Sequence, residues 1–434
     1  MTYPDAVRYL MSLLGDIRGS DFGLHRMEAL LARLGNPHRA YRVVHVAGTN
    51  GKGSTAAMIE AGLRAAGHST GLYTSPHLMR FNERLKINGS DGSDELFASA
   101  VAEVRAANEW LAAKKGRQGH PTFFESVTAA AFCGFRQAGV AWGIIEVGLG
   151  GRLDATNVVT PEVAVITPIA FDHEAFLGKS AASIAAEKAG ILKPGCKAVF
   201  ASQSERAEEV LTARAAELGV PVARTGIDWR AENLSDEQGR YRFTARRSNG
   251  PGFEVRLALA GEHQVENALA AAAALDALDV PAAAIAAGLA SVAWPGRLQS
   301  FGSRPEILLD AAHNPAGARV LASFLQKHRR GRRIHLIYGA SRDKAIDEVA
   351  GLLFPCAGRV ILTRANVARS ASPETLLSIA DHHHDQIVVE TALARAMERA
   401  QREAGPEDLI VIAGSVFLVG EALGLLQSVE SLPV

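Results

Sequence analysis

The chain has 434 residues, more than one hydrophobic core ordinarily supports, so two or three domains are expected rather than a single compact unit. Its 48% apolar and 21% charged residues exclude general disorder and fibrous repeats. The 46 basic and 46 acidic side chains cancel, which removes any overall pull toward nucleic acid or anionic membrane, so an anionic ligand must be held locally.

Two helical patterns come first. Residues 42–47 then read as a buried strand, 54–66 as the helix that follows a glycine-rich turn, and 69–73, 141–147 and 162–169 as further short strands. Each strand is apolar or β-branched and each is followed by a polar cluster, the order expected of a parallel sheet covered by helices. A helix is expected over 182–189. Segments 240–246 and 253–259 flank Ser248, Asn249, Gly250, Pro251 and Gly252, a hairpin signal. The alanine-rich stretch 262–278 is helical, and Trp294, Pro295 and Gly296 interrupt the chain before a new strand–helix series. The boundary is placed there, giving residues 1–295 and 296–434. Strands at 306–309, 334–338, 360–363 and 409–412 with helices between them predict an open doubly wound sheet in the second part.

Three scattered cysteines, Cys133, Cys196 and Cys356, make neither a disulfide framework nor a zinc-type cluster and read as reduced thiols. The first fifteen residues lack a signal peptide's apolar stretch, and nowhere do about eighteen apolar residues run uninterrupted. A cytoplasmic monomer is the expectation.

The sharpest local signal is HVAGTNGKGST over 45–55, a strand running into glycines, a lysine, hydroxyls and a helix. Glycines let backbone N–H groups turn inward toward phosphate oxygens, and the helix N-terminus adds partial positive charge. Gly48, Thr49, Asn50, Gly51 and Gly53 would cradle the phosphates, Lys52 would reach the β- and γ-phosphoryl groups, and Ser54 or Thr55 would sit near the phosphates or their magnesium. The match to the strict P-loop pattern is imperfect, because its first glycine falls on Val46 and Gly53 separates lysine from hydroxyl. A tight turn with a solvated lysine is the bland alternative.

With the segments TSPHL (74–78), FNER (81–84), TFFE (122–125), EVGLGGRLDATN (146–157), EKAGI (187–191), GEHQ (261–264), PGR (295–297) and DAAHNP (310–315), this loop resembles the Mur ligase superfamily. Within it the ordered series is similar to the folylpolyglutamate synthase and dihydrofolate synthase branch, over almost the whole chain. The resemblance implies an α/β fold: a P-loop ATPase domain with a parallel-rich sheet, then a smaller Rossmann-like α/β domain that ligates glutamate. It implies an ATP-dependent ligase that makes an acyl phosphate and then an amide, with L-glutamate, dihydropteroate and reduced folates as partners and sites for two Mg2+ ions.

Residue by residue, the resemblance assigns magnesium ligation to Ser75, Glu146 and His173, and also to Lys188 if it is carbamylated. Ser75, Glu146 and His173 each follow an expected parallel strand, which by itself brings them to one sheet edge. Lys52, Lys188 and His173 are the catalytic set. Asn267, Arg297, Asp310 and His313 match positions that contact the nucleotide, and Thr122, Phe124, Arg152, Asp154 and Ala155 would line the dihydropteroate site. Core packing explains the phenylalanines equally well. Ala311 stands where the family has glycine, and Glu174 follows His173 where threonine is common, adding negative charge near the metal. The run 381–385, DHHHD, reads as a solvated polar turn, and Gly414 with Ser415, after the last strand, as a place for the incoming glutamate or, at least equally well, as a helix N-cap. A cell-wall peptide ligase would share the loop but carry a further domain ahead of it, and only 47 residues precede Gly48. A non-ligase nucleotide switch would need the loop without the other motifs.

Overall fold

The mostly apolar segments at 43–47 and 142–146 suit strands covered on both faces, and the chain uses them as the centre of a sheet. In the computed structural model, which describes residues 1–16, 23–115, 120–172, 178, 180–302 and 304–430, eight strands form that sheet. They are β1 (Arg42–Ala47), β2 (Thr70–Tyr73), β3 (Lys86–Ile87), β4 (Ser90–Asp91), β5 (Trp142–Glu146), β6 (Val163–Ile166), β7 (Lys197–Phe200) and β8 (Val222–Arg224). The order is β4-β3-β2-β5-β1-β6-β7-β8, and β2, β5, β1, β6, β7 and β8 run parallel. Their carboxyl ends therefore lie side by side, with β1 central. One face is covered by the helices Lys52–Ala65 and His263–Asp276, the other by Phe123–Gln137 and its neighbours.

Close helix contact needs small residues at the crossing. Helix Lys52–Ala65 meets helix Ala282–Ser291 where a Cβ on Gly288 would collide with the backbone of Gly62. A three-stranded antiparallel sheet, β9 (Trp229–Glu237), β10 (Arg240–Arg247) and β11 (Gly252–Arg256), packs against the same core. The expected hairpin is thus β10–β11, while β9 went unread: most of it is exposed and shows no alternation.

A second sheet follows, with β12 (Gln299–Phe301), β13 (Glu306–Asp310), β14 (Ile334–Tyr338), β15 (Arg359–Leu362), β16 (Ile387–Val389) and β17 (Leu409–Ala413). Its order is β12-β13-β17-β14-β15-β16, parallel except for the antiparallel β12. The short edge strands β12 and β16 were not read from sequence; β13, β14, β15 and β17 were. The cysteines are free thiols, Cys133 and Cys196 buried. No helix among the described residues is long and apolar enough to cross a membrane.

Candidate active site

The loop after β1 is shaped by three glycines, each pressed on by a neighbour. Gly48 (φ 145°) would drive a Cβ into the Thr167 side chain, and Gly51 (φ 85°) would drive one into the Asn267 amide. Gly53 has the Trp294 indole 3.1 Å from where a Cβ would lie, which accounts for the glycine between lysine and hydroxyl. Gly51 caps the helix, so Lys52 is its first residue, earlier than the sequence suggested. The loop is pinned from below, because Pro168 O accepts from the backbone N–H of Thr49 at 3.0 Å and of Asn50 at 3.4 Å. That use of residues 167–168 is why β6 stops at Ile166 instead of running to 169.

Two lysines meet inside this loop. Lys52 Nζ donates to Thr49 O at 2.9 Å and Gly48 O at 3.2 Å, and Lys188 Nζ donates to Gly48 O at 2.7 Å. Burial pulls the Lys52 ammonium below its ordinary range, opposed by the nearby charges of Glu146 and Asp172. Burial, and then the charge of Lys52, lower Lys188 to about 7. Lys188 is 3% exposed, not the solvated helix lysine its position alone would suggest.

Glu146 ends β5 beside β1, and its Oε2 accepts from Ser75 N at 3.0 Å, which sets two of the expected metal ligands together. Burial raises its pKa, with Lys52 and the Ser75 N–H acting the other way. A buried carboxylate in that state favours an arriving cation. His173 lies outside the described residues. Thr55 Oγ1 is buried with no hydrogen-bond partner among the described residues, whereas Ser54 Oγ accepts from Gln264 Nε2 at 3.3 Å. Gln264 in turn accepts from Asn267 Nδ2 at 2.9 Å, so helix His263–Asp276 braces the loop through Ser54 and Gly51.

Across the cleft stands the loop after β13. Asp310 is buried and accepts from Leu298 N and Ala312 N, both at 2.9 Å; burial raises its pKa while Arg297 opposes the rise. Arg297 is half-buried and donates to Gly296 O at 3.0 Å. His313 is held to about 4 by burial and by Lys344, with Nδ1 2.9 Å from Ala311 O. The two halves touch here directly. Asn314 Nδ2 donates to Asn50 Oδ1 at 2.9 Å and to Asp172 Oδ2 at 3.1 Å, and Lys344 Nζ meets Asp172 Oδ1 at 2.8 Å. Sequence reasoning quoted Gln264 only within the GEHQ segment, without a role, and did not name Lys344. Lys344 carries no local motif, and only the fold brings it to Asp172.

Of the residues expected on the acceptor side, Phe124 and Ala155 share one core and Asp154 and Arg152 lie in the loop after β5. Thr122 caps helix Phe123–Gln137 in a reciprocal box with Glu125, and the Phe124 ring fills the space above Gly148 that any side chain there would occupy. Ala155 belongs to the same core. Asp154 is committed to its own loop: it accepts from Leu149 N at 2.9 Å, Thr156 N at 3.0 Å and the Thr156 hydroxyl at 2.5 Å. Arg152 pairs with Glu187 at 2.8 Å and is mostly exposed. Arg84, buried and bonded through Nε to His77 Nδ1 at 2.9 Å, adds a cation beside Phe81 and Phe123 that the sequence reading left without a role.

Residues 46–275 match the Mur ligase middle domain and residues 296–416 match the Mur ligase glutamate ligase domain. The chain belongs to the Mur ligase family. It is similar to the dihydrofolate synthase/folylpolyglutamate synthase of Mycobacterium tuberculosis, 35% identical with 93% of this chain and 89% of that one covered. A probable bifunctional folylpolyglutamate synthase/dihydropteroate synthase of Haloferax volcanii is also 35% identical; the match covers 97% of this chain but only 50% of that longer protein. Among solved structures, Mycobacterium tuberculosis folylpolyglutamate synthase complexed with ADP has a TM-score of 0.91 at 33% identity, over 98% of this chain and 99% of that one. An Escherichia coli relative solved with DHPP and ADP has a TM-score of 0.87 at 32% identity, over 99% of each chain. The Mur ligase architecture expected from the sequence is the one observed, and this family member is an ATP-dependent ligase.

Proposed function

We propose that this chain joins the amine of L-glutamate to the carboxylate of dihydropteroate and to that of reduced folates, working as a cytoplasmic monomer without nucleic acid or membrane. The division of labour is that residues 1–295 bind ATP and the acceptor acid and residues 296–434 complete the nucleotide site and the glutamate ligation. The reading rests on one convergence: Lys52, Lys188, Glu146 and Ser75 collect around a single phosphate loop, faced by Asp310, His313 and Asn314.

The donor set fits magnesium. Ser75 and Thr55 offer hydroxyls and Glu146 a buried carboxylate, hard oxygen ligands suited to that ion, and His173 follows β6. Bound magnesium would neutralise charge on the transferring phosphoryl group. The chain's own residues do the rest. Lys52 exchanges its loop carbonyls for γ-phosphoryl oxygens, and the N–H groups at the helix start, 51–53, hold the β-phosphate, those of Thr49 and Asn50 being taken by Pro168 O. Asn267 and Arg297 fix the nucleoside and phosphates, while Asp310 and His313 close the cleft over it. The acceptor carboxylate attacks the γ-phosphorus and ADP leaves. The glutamate amine then attacks the acyl carbon and inorganic phosphate departs. Positioning and charge supply most of the acceleration, and no nucleophilic side chain is needed. Thr122, Phe124, Arg152, Asp154 and Ala155 shape the pterin side, Asp154 by holding the loop. A Lys188 amine near neutrality can capture carbon dioxide as a carbamate, a second anion for a metal.

ADP release is measured with ATP, magnesium and glutamate plus dihydropteroate, tetrahydrofolate or a cell-wall peptide precursor. Release is expected only with the first two acceptors and only with glutamate present. Turnover with the peptide precursor instead, or ADP release with neither acceptor nor glutamate, would move the chain to another ligase or to a nucleotide switch. Stripping bicarbonate lowers the rate reversibly if Lys188 is carbamylated, and leaves it unchanged otherwise.

A further inference from the structure

The run 381–385, read from sequence as a solvated turn, acquires a partner in the fold that the sequence could not show. Residues 381–383 form a single helical turn after helix Pro373–Ala380, and it abuts the start of helix Ile346–Leu353. There, His383 Nε2 lies 2.9 Å and His382 Nε2 3.3 Å from the same oxygen, Oδ1 of Asp347. All three ligand atoms lie within 4.8 Å of one another.

We propose that Asp347, His382 and His383 form a binding site for one divalent transition-metal ion, with zinc the expected occupant, that shares no residue with the nucleotide site.

Two imidazoles and a carboxylate are a borderline donor set that suits zinc rather than magnesium or calcium. Ligands about 2.0–2.2 Å from a tetrahedral zinc sit roughly 3.3 Å apart, the scale of the two separations to Asp347. The arrangement is also held in place. His383 is seated over Gly351, one helical turn beyond Asp347, where a Cβ would come within 3.1 Å of the ring. Asp381 Oδ1 stands 3.7 Å from His382 Nδ1, beyond hydrogen-bond distance but near enough for its charge to favour a cation held by that imidazole. His384 is excluded as a ligand because Nε2 meets Ala357 O and Nδ1 accepts from Gln386 N, both at 2.9 Å; these bonds instead fix the turn. Three protein ligands leave a fourth position for water. The helix N-terminus at Asp347 disfavours a cation only weakly at an exposed site, and Asp347 and Glu348 in its first turn offset this. The bound ion would staple the 381–383 turn to the helix that begins two residues after Lys344.

The test uses the full tag-free chain with ADP and excess magnesium present, so that the nucleotide site is filled. Zinc and cobalt(II) are titrated into the wild type and into the D347N and H382A variants, both at exposed side chains, with thermal midpoints in chelator confirming that each variant is folded. The wild type is expected to bind one zinc equivalent and to give the visible bands of four-coordinate cobalt. Each variant is expected to bind at least tenfold more weakly and lose those bands. Equal affinity and stoichiometry in all three proteins, or only six-coordinate cobalt spectra in the wild type, overturns the proposal.

Discussion

Replacing Lys52 by alanine is expected to lower kcat/KM for amide formation about a thousandfold, a loss of ~4 kcal/mol of transition-state stabilisation. The reason lies in what surrounds the ammonium. Burial disfavours its charge, and without nucleotide it is held by two carbonyls of its own loop, Gly48 O and Thr49 O. A γ-phosphoryl group gives the same cation an anionic partner in a water-poor site, where such contacts are worth most. The loop itself survives the change, because the bonds of Thr49 N and Asn50 N to Pro168 O do not involve the lysine. The variant should therefore keep its far-UV spectrum and melting midpoint within a few degrees while losing turnover. Loss of fold in step with loss of rate would mean that Lys52 acts through structure alone.

Glu146→Gln is expected to cost about a hundredfold in kcat/KM, ~2.7 kcal/mol, and to raise the magnesium concentration needed for half-maximal rate. Glutamine preserves the shape and an oxygen for Ser75 N, so the local structure persists. What goes is the negative charge that burial makes costly without a cation and that a magnesium ion would satisfy. An unchanged rate at limiting magnesium would remove Glu146 from the metal site.

Much of this was legible beforehand because strand, glycines and helix signal locally. The runs at β1, β5, β13, β14 and β17 are buried throughout or nearly so, and apolar continuity identifies such strands without tertiary information. The convergence of Ser75 and Glu146 followed from their places at the carboxyl ends of parallel strands, Glu146 as the last residue of β5 and Ser75 two residues past β2. Other features belong to the fold. β9 is mostly exposed, β12 and β16 have three residues each, and β3 and β4 have two, so periodicity is silent for them. Asn50 with Asn314 is a pair 264 residues apart, and Lys344 with Asp172 a pair 172 apart. Arg152 and Asp154 read alike as ligand-facing polar residues, yet one is paired with Glu187 and the other satisfies backbone N–H groups of its own loop. Hydrogen-bond demand of a buried loop decided that difference.

The most direct test follows oxygen. Dihydropteroate labelled with 18O in its carboxylate is turned over with ATP, magnesium and glutamate, and the released inorganic phosphate is weighed by mass spectrometry. One labelled oxygen per phosphate is predicted, since the carboxylate takes the γ-phosphoryl group beside Lys52 and Glu146 and gives up that oxygen when the amide forms. Unlabelled phosphate accompanying labelled amide product would contradict the account.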